Sequence, residues 1–342
     1  MKRRGFVRKK RAVLLAAALL SVLLTGCGQP AAETDRPEER LKIVCTIFPE
    51  YDWVKQILGD TAEETELTLL MKNGADLHSY QPTIWDMQKI AEADLFLHVG
   101  GESDFWVEDA LANTKNPRRK VLNLMEILAD SVKEEAHVEG MQEGRAGALP
   151  REAHTEEEAE YDEHVWLSLR NAQAVCRAVT EALCGLRTEE RAVYERNCRD
   201  YCEKLQALDR AYRQAVGKTR EPVLLFGDRF PFHYLAEDYG ITCYAAFPGC
   251  SAETEASFST ITFLAEKAGA LHLPAVLAID GSDGKIAGTI AGNTATGDQR
   301  VLVLDSMQSV SGREIEEGEN YLSVMERNLE VLKEALAVRG GV

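Results

Sequence analysis

Short apolar runs alternate along this chain with segments of helical periodicity, and they fall into two groups. The first group is LKIVCTIF (41–48), LTLLM (67–71), LFLHV (95–99) and KVLNL (120–124). The second is PVLLFGD (222–228), ITCYAAF (241–247), AVLAID (275–280) and VLVLD (301–305). Strands that alternate with helices imply parallel βα units. Between the groups lies ERAVYERNCRDYCEKLQALDRAYRQAV (190–216), whose 27 helical residues would extend roughly 40 Å at 1.5 Å per residue. A helix that long can cross from one lobe to another. The predicted fold is α/β: two parallel-sheet βα lobes bridged by one long helix. We place the N-terminal lobe at 41–187, the linking helix at 188–217 and the C-terminal lobe at 218–342.

The N-terminus obeys different rules. MKRRGFVRKKR is basic, and the apolar AVLLAAALLSVLL (12–24) that follows is shorter than the roughly 20 residues a bilayer span needs. This order describes an export signal. Leu24-Thr25-Gly26-Cys27 has the form of a lipobox, so residues 1–26 are read as a lipoprotein signal peptide with lipid on Cys27. Residues 27–40 are polar, with two prolines, and read as a tether. The expected location is the outer face of the cell membrane, lipid-anchored, as a monomer. Removing residues 1–26 takes the formal charge from -17 to -24. So acidic a body excludes nucleic acid as a partner, because phosphate binding rests on Lys and Arg.

Seven cysteines remain after Cys27, with no CxxC among them, and no disulfide pairing can be deduced. Cys198 and Cys202 share a helical face, and a small apolar role suits them better than metal binding. Residues 133–163 break the periodicity, with ten glutamates plus His137 and His154, and read as a mobile acidic loop.

Ligands of parallel α/β sheets bind beyond the carboxyl ends of the strands. His78, Asp228, Asp280 and Asp305 each follow a strand-like run closely, and His164 stands where the acidic loop re-enters ordered chain. His98 and His272 lie inside apolar runs and are expected to pack. Taken singly, each candidate is an ordinary loop polar residue. Together, His78 and His164 from one half, with an aspartate or histidine from the other, would close a four-coordinate cage. Imidazole and carboxylate donors suit zinc, manganese or ferrous iron.

IFPEYDW, NGADLHSYQPTIWD, DEHVWLSLRNA and EKLQALD stand in this chain in that order. In order and spacing they resemble the motifs of the metal-binding solute-binding lipoproteins of ABC importers for zinc and manganese. The resemblance covers nearly all of the chain beyond the signal. It implies a non-enzymatic receptor that holds a bare metal ion between two four-stranded lobes and hands it to a membrane permease. It also implies His78 and His164 as N-lobe ligands and Asp305 as a ligand after the last strand. The third family ligand falls on Gly227 or Arg229, neither of which binds a cation. Asp228 is the first substitute and His233 the second, with Glu253 and Glu255 ranked lower. The acidic loop, with His137 and His154 as an accessory metal-binding pair, favours Zn2+ over Mn2+. Other readings are a manganese- or iron-specific member of the same family, a secreted zinc hydrolase and a metal-containing adhesin.

Overall fold

The computed structural model describes residues 40–72, 74–112, 115–142, 160–251 and 255–337. Residues 1–39, with the expected signal peptide and Cys27, lie outside them, as do His154 and Glu253. Strands β1 (Leu41–Cys45), β2 (Thr65–Leu69), β3 (Leu95–His98) and β4 (Lys120–Asn123) form one parallel sheet in the order β2-β1-β3-β4. A second parallel sheet repeats that order as β6-β5-β7-β8, from β5 (Val223–Phe230), β6 (Thr242–Pro248), β7 (Ala275–Ile279) and β8 (Arg300–Leu304). In each sheet the first strand is central, and the chain passes to one side and then the other. That reversal opens a crevice at the carboxyl ends of the strands.

The linking helix runs from Arg191 to Val216 and packs on the Phe48–Leu58, Leu169–Leu186 and Tyr321–Ala335 helices, so it touches both halves. One apolar core is shared by the two lobes, including Trp53, Leu205, Tyr212, Phe226 and Tyr321. Buried polar bonds cross the same boundary. Tyr321 donates its hydroxyl to the Trp166 carbonyl at 2.7 Å and its backbone N–H to Asp52 at 3.0 Å. The Trp166 indole N–H donates to the Ser306 carbonyl at 2.8 Å. Trp53 meets Tyr321 edge-on, with ring centroids 5.2 Å apart, a geometry worth about 0.5–1.5 kcal/mol beyond area burial. The lobes are therefore joined through a shared core and buried hydrogen bonds.

Several local expectations need correction. β1 stops at Cys45 because Glu50 turns back to accept the N–H groups of Thr46 and Ile47, opening a helix at Phe48. β5 continues to Phe230, so Asp228 lies within the strand, where the register to β6 shifts between Phe226 and Arg229. The acidic loop is ordered at both ends: Glu134 and Tyr161 form an antiparallel bridge, and Gln142 donates to the Ala246 carbonyl at 2.9 Å. His98 packs as expected, buried against Asp104 at 3.1 Å. His272 does not; it is exposed at a helix end with φ 52°, and Leu273 takes the buried place.

Candidate metal centre

His78 sits in a tight turn, Leu77–Ser79, after β2, and Asp76 caps that turn by accepting the His78 N–H at 3.0 Å. Leu77 beside it is buried, which anchors the turn in the core. The Nδ1 of His78 lies 2.8 Å from the Ser103 hydroxyl and 3.4 Å from a Glu163 carboxylate oxygen. Glu163 is itself held by the Ser103 N–H at 2.7 Å. Gly101 permits this approach: its φ is 80°, and a Cβ there would stand 2.4 Å from the Glu163 carboxylate.

His164 is fully buried, and its Nδ1 lies 2.7 Å from an Asp162 carboxylate oxygen that also accepts its backbone N–H at 2.9 Å. Burial opposes the charged imidazole, but the Asp162 carboxylate outweighs it and raises the His164 pKa above its ordinary 6.5. Asp162 answers in the opposite sense: burial would raise it, yet His164 and His233 bring it down to about 2.

Both Nδ1 atoms are thus engaged, and the two Nε2 atoms face each other at 3.2 Å. With the His164 Nδ1–H donated to Asp162 and the His78 Nδ1–H to the Ser103 hydroxyl, each Nε2 carries a lone pair, and two lone pairs cannot satisfy one another. A cation between them can. Two nitrogens of a tetrahedral zinc site with bonds of about 2.0–2.1 Å stand about 3.3 Å apart, so the rings are nearly pre-set. Carboxylates behind ligating histidines fix the tautomer and strengthen the donor.

Among the described residues, one group of three has its donor atoms all within 4.8 Å of one another: His78, His164 and Cys250. Cys250 follows β6, the strand that occupies in the second sheet the place β2 holds in the first. Its backbone N–H donates to Glu135 at 3.3 Å. Burial, then the nearby Glu135, Glu163 and Asp162 carboxylates, push its thiol above the ordinary range. Gly249 before it has no room for a side chain, since a Cβ would meet the Phe230 carbonyl at 2.9 Å and the His164 ring at 3.1 Å.

The other sequence candidates stand apart from this group. Asp228 accepts the Arg229 N–H at 2.9 Å and lines an adjoining cleft of about 600 Å3 with His78, Arg229 and Asp280. His233 lies behind His164, with Nδ1 3.6 Å from the far oxygen of Asp162 and Nε2 3.2 Å from Glu237. Asp305 accepts the Met307 N–H at 2.8 Å and faces Arg327 at 3.8 Å. Burial and Asp280 push its carboxyl up to about 7. Asp280 spends its oxygens on Ser306 and Ser309. His137 shares a hollow of about 300 Å3 with His233 and Glu237. Cys250 is the member of this group that the sequence does not single out: it follows a strand's carboxyl end as the other candidates do, but it carries a thiol where they carry imidazoles and carboxylates.

The family model described as zinc-uptake complex component A, periplasmic, matches residues 43–335. The zinc-binding lipoprotein AdcA of Streptococcus pneumoniae serotype 4 is 28% identical over 334 residues, covering 97% of this chain and 62% of that protein. The chain therefore spans about 62% of the length of the AdcA relatives it matches. The high-affinity zinc uptake system protein ZnuA of Bacillus subtilis is 26% identical over 336 residues, covering 97% of this chain and 99% of the relative. Among solved structures, the Zn(II)-bound ZnuA-like domain of Streptococcus pneumoniae AdcA superposes with a TM-score of 0.66 at 26% identity, over 87% of this chain and 99% of that one.

Proposed function

The chain belongs to the family of the periplasmic zinc-uptake component A, and from that premise we propose that it is a non-catalytic receptor that captures Zn2+ between its lobes and passes it to an ABC permease. One observation carries this reading: the Nε2 atoms of His78 and His164 converge at 3.2 Å while both Nδ1 atoms are held by polar partners. A bare ion fits that spacing and a larger organic solute does not. The names of the relatives, a zinc-binding lipoprotein and a zinc uptake protein, support zinc as the cargo.

The protein is anchored through lipid on Cys27 at the extracytoplasmic face of the cell membrane, and residues 27–40 give it reach. Among the described residues no helix is long and apolar enough to cross a membrane. The acidic loop serves as an antechamber that raises the local cation concentration, with His137 and His154 as its donors. Asp228 and Asp280, on the wall of the adjoining cleft, add negative charge along the approach.

Titration under chelator-controlled free zinc tests the reading. Tight 1:1 binding is expected for the native chain, and His78→Ala and His164→Ala should each weaken it by roughly 100-fold or more, as loss of a ligand exceeds loss of its outer partner. Native-like affinity in both variants would place the site elsewhere.

A further inference from the structure

We propose that the Sγ of Cys250 is the C-lobe ligand of the bound ion, making the site two imidazoles and one thiolate. This inference rests on the reading that His78 and His164 hold metal. Its ground is convergence: the sulfur and the two ring nitrogens lie mutually within 4.8 Å. Zinc bonds of about 2.3 Å to sulfur and 2.0–2.1 Å to nitrogen put those atoms about 3.3–3.6 Å apart, so closure needs a shift of about 1 Å.

Among the described residues, no other donor of the second lobe joins this group. Arg229 is paired with Asp76 at 2.8 Å, across the crevice. Gly227 is sealed against Ala287, where an added Cβ would be 2.4 Å from the backbone. His233 lies on the far side of Asp162, and Asp228 turns back to its own chain.

The loop that carries Cys250 is held for the task. Gly249 lets it lie against the His164 ring, and Glu135 from the acidic loop receives the Cys250 N–H. Glu135 is thus a positioning residue, and it ties that loop to the metal centre. The two lobes contribute corresponding loops, the one after β2 with His78 and the one after β6 with Cys250. On metal entry the S–H bond breaks, its proton leaves to solvent, and the sulfur lone pair bonds the ion. A thiolate donor is soft, so the site should take Zn2+ and Co2+ and discriminate against Mn2+, which prefers oxygen donors.

Cobalt substitution reads the ligand directly. Native protein loaded with Co2+ should show tetrahedral d–d bands together with a sulfur-to-metal charge-transfer band in the near ultraviolet. Cys250→Ser should lose the charge-transfer band, keep Co2+ binding and weaken zinc affinity by roughly 100-fold, the scale expected for a lost ligand. If native protein binds Co2+ with d–d bands but no charge-transfer band, Cys250 is not a ligand, although the histidine site stands. If native protein binds neither Co2+ nor Zn2+, this inference and the proposed function both fail. The native spectrum alone decides between these outcomes, whether or not the variant folds.

Discussion

His164 and Asp162 form one hydrogen-bonded unit, the imidazole Nδ1 lying 2.7 Å from a carboxylate that is itself almost wholly buried. His78 repeats the arrangement with Ser103 and Glu163. The consequence is chemical: both Nε2 lone pairs are aimed at a shared point, and the negative charge behind them suits a divalent cation.

Removing the support behind His164 should therefore matter almost as much as touching the ring. Asp162→Asn keeps the shape but weakens the Nδ1 interaction, and zinc affinity should fall by roughly 10- to 100-fold. Competition against a chromogenic chelator measures this. An unchanged affinity would mean that the carboxylate only pairs with His233.

Protons compete with metal at Nε2. The His164 pKa stands above 6.5, raised by Asp162 against the opposing effect of burial. Zinc affinity should be flat at alkaline pH and fall as pH drops through that raised value, sooner than for a free imidazole. A series of titrations across pH 5 to 9 would reveal an affinity independent of pH, the contrary result.

The same pair sets an acid limit on the metal-free fold. Asp162 titrates at about 2 against an ordinary 3.8, so its contribution is present above 3.8 and lost as pH falls towards 2. The contribution is on the order of 2 kcal/mol. Chemical unfolding of native protein and Asp162→Asn at falling pH should show their difference shrinking over that window. Because His164 is raised, its own share is present below 6.5 and fades as pH rises through its folded value.

Gly249→Ala offers a steric test. The new Cβ would press on the Phe230 carbonyl and the His164 ring. Overpacking of this kind costs about 1–3 kcal/mol and should move the Cys250 loop outwards. Thermal unfolding should register the loss of stability, and zinc titration a loss of affinity. Unaltered values in both would show that the loop is not fixed against His164.

Tyr321→Phe probes the weld between the lobes. It leaves the Trp166 carbonyl without its buried donor, at a cost of about 1–3 kcal/mol in unfolding free energy. Zinc affinity should change much less, since the Tyr321 hydroxyl bonds the Trp166 backbone carbonyl and none of His78, His164 or Cys250. A large affinity loss with intact stability would contradict that division.

Much of this was legible in the chain. Apolar runs alternating with helical periods located the strands of both sheets, because strands in parallel sheets are short and punctuated by βα turns. His78 and His164 stand out because each lies in a specific motif, His78 after a strand-like run and His164 where the acidic loop re-enters ordered chain, and the fold brings their rings together. What was not legible is side-chain direction. Asp305 and Asp280 follow strands as a ligand should, yet Asp305 answers to Met307 and Arg327, and Asp280 to two serines. Cys250 follows a strand by two residues, but a lone thiol in the turn-like PGCS stretch points to no partners until the fold brings them near. The order at the ends of the acidic loop depends on pairing between residues 27 apart, Glu134 and Tyr161, which composition does not encode.

The central claim is that zinc sits between His78 and His164. A crystal of the zinc-loaded protein, with diffraction recorded on both sides of the zinc absorption edge, tests it most directly. An anomalous peak bonded to the Nε2 atoms of His78 and His164, with Cys250 Sγ as the third donor, is the predicted result. A zinc peak elsewhere, for example among Asp228 and Asp280 in the adjoining cleft, with the two rings unliganded, would contradict the account.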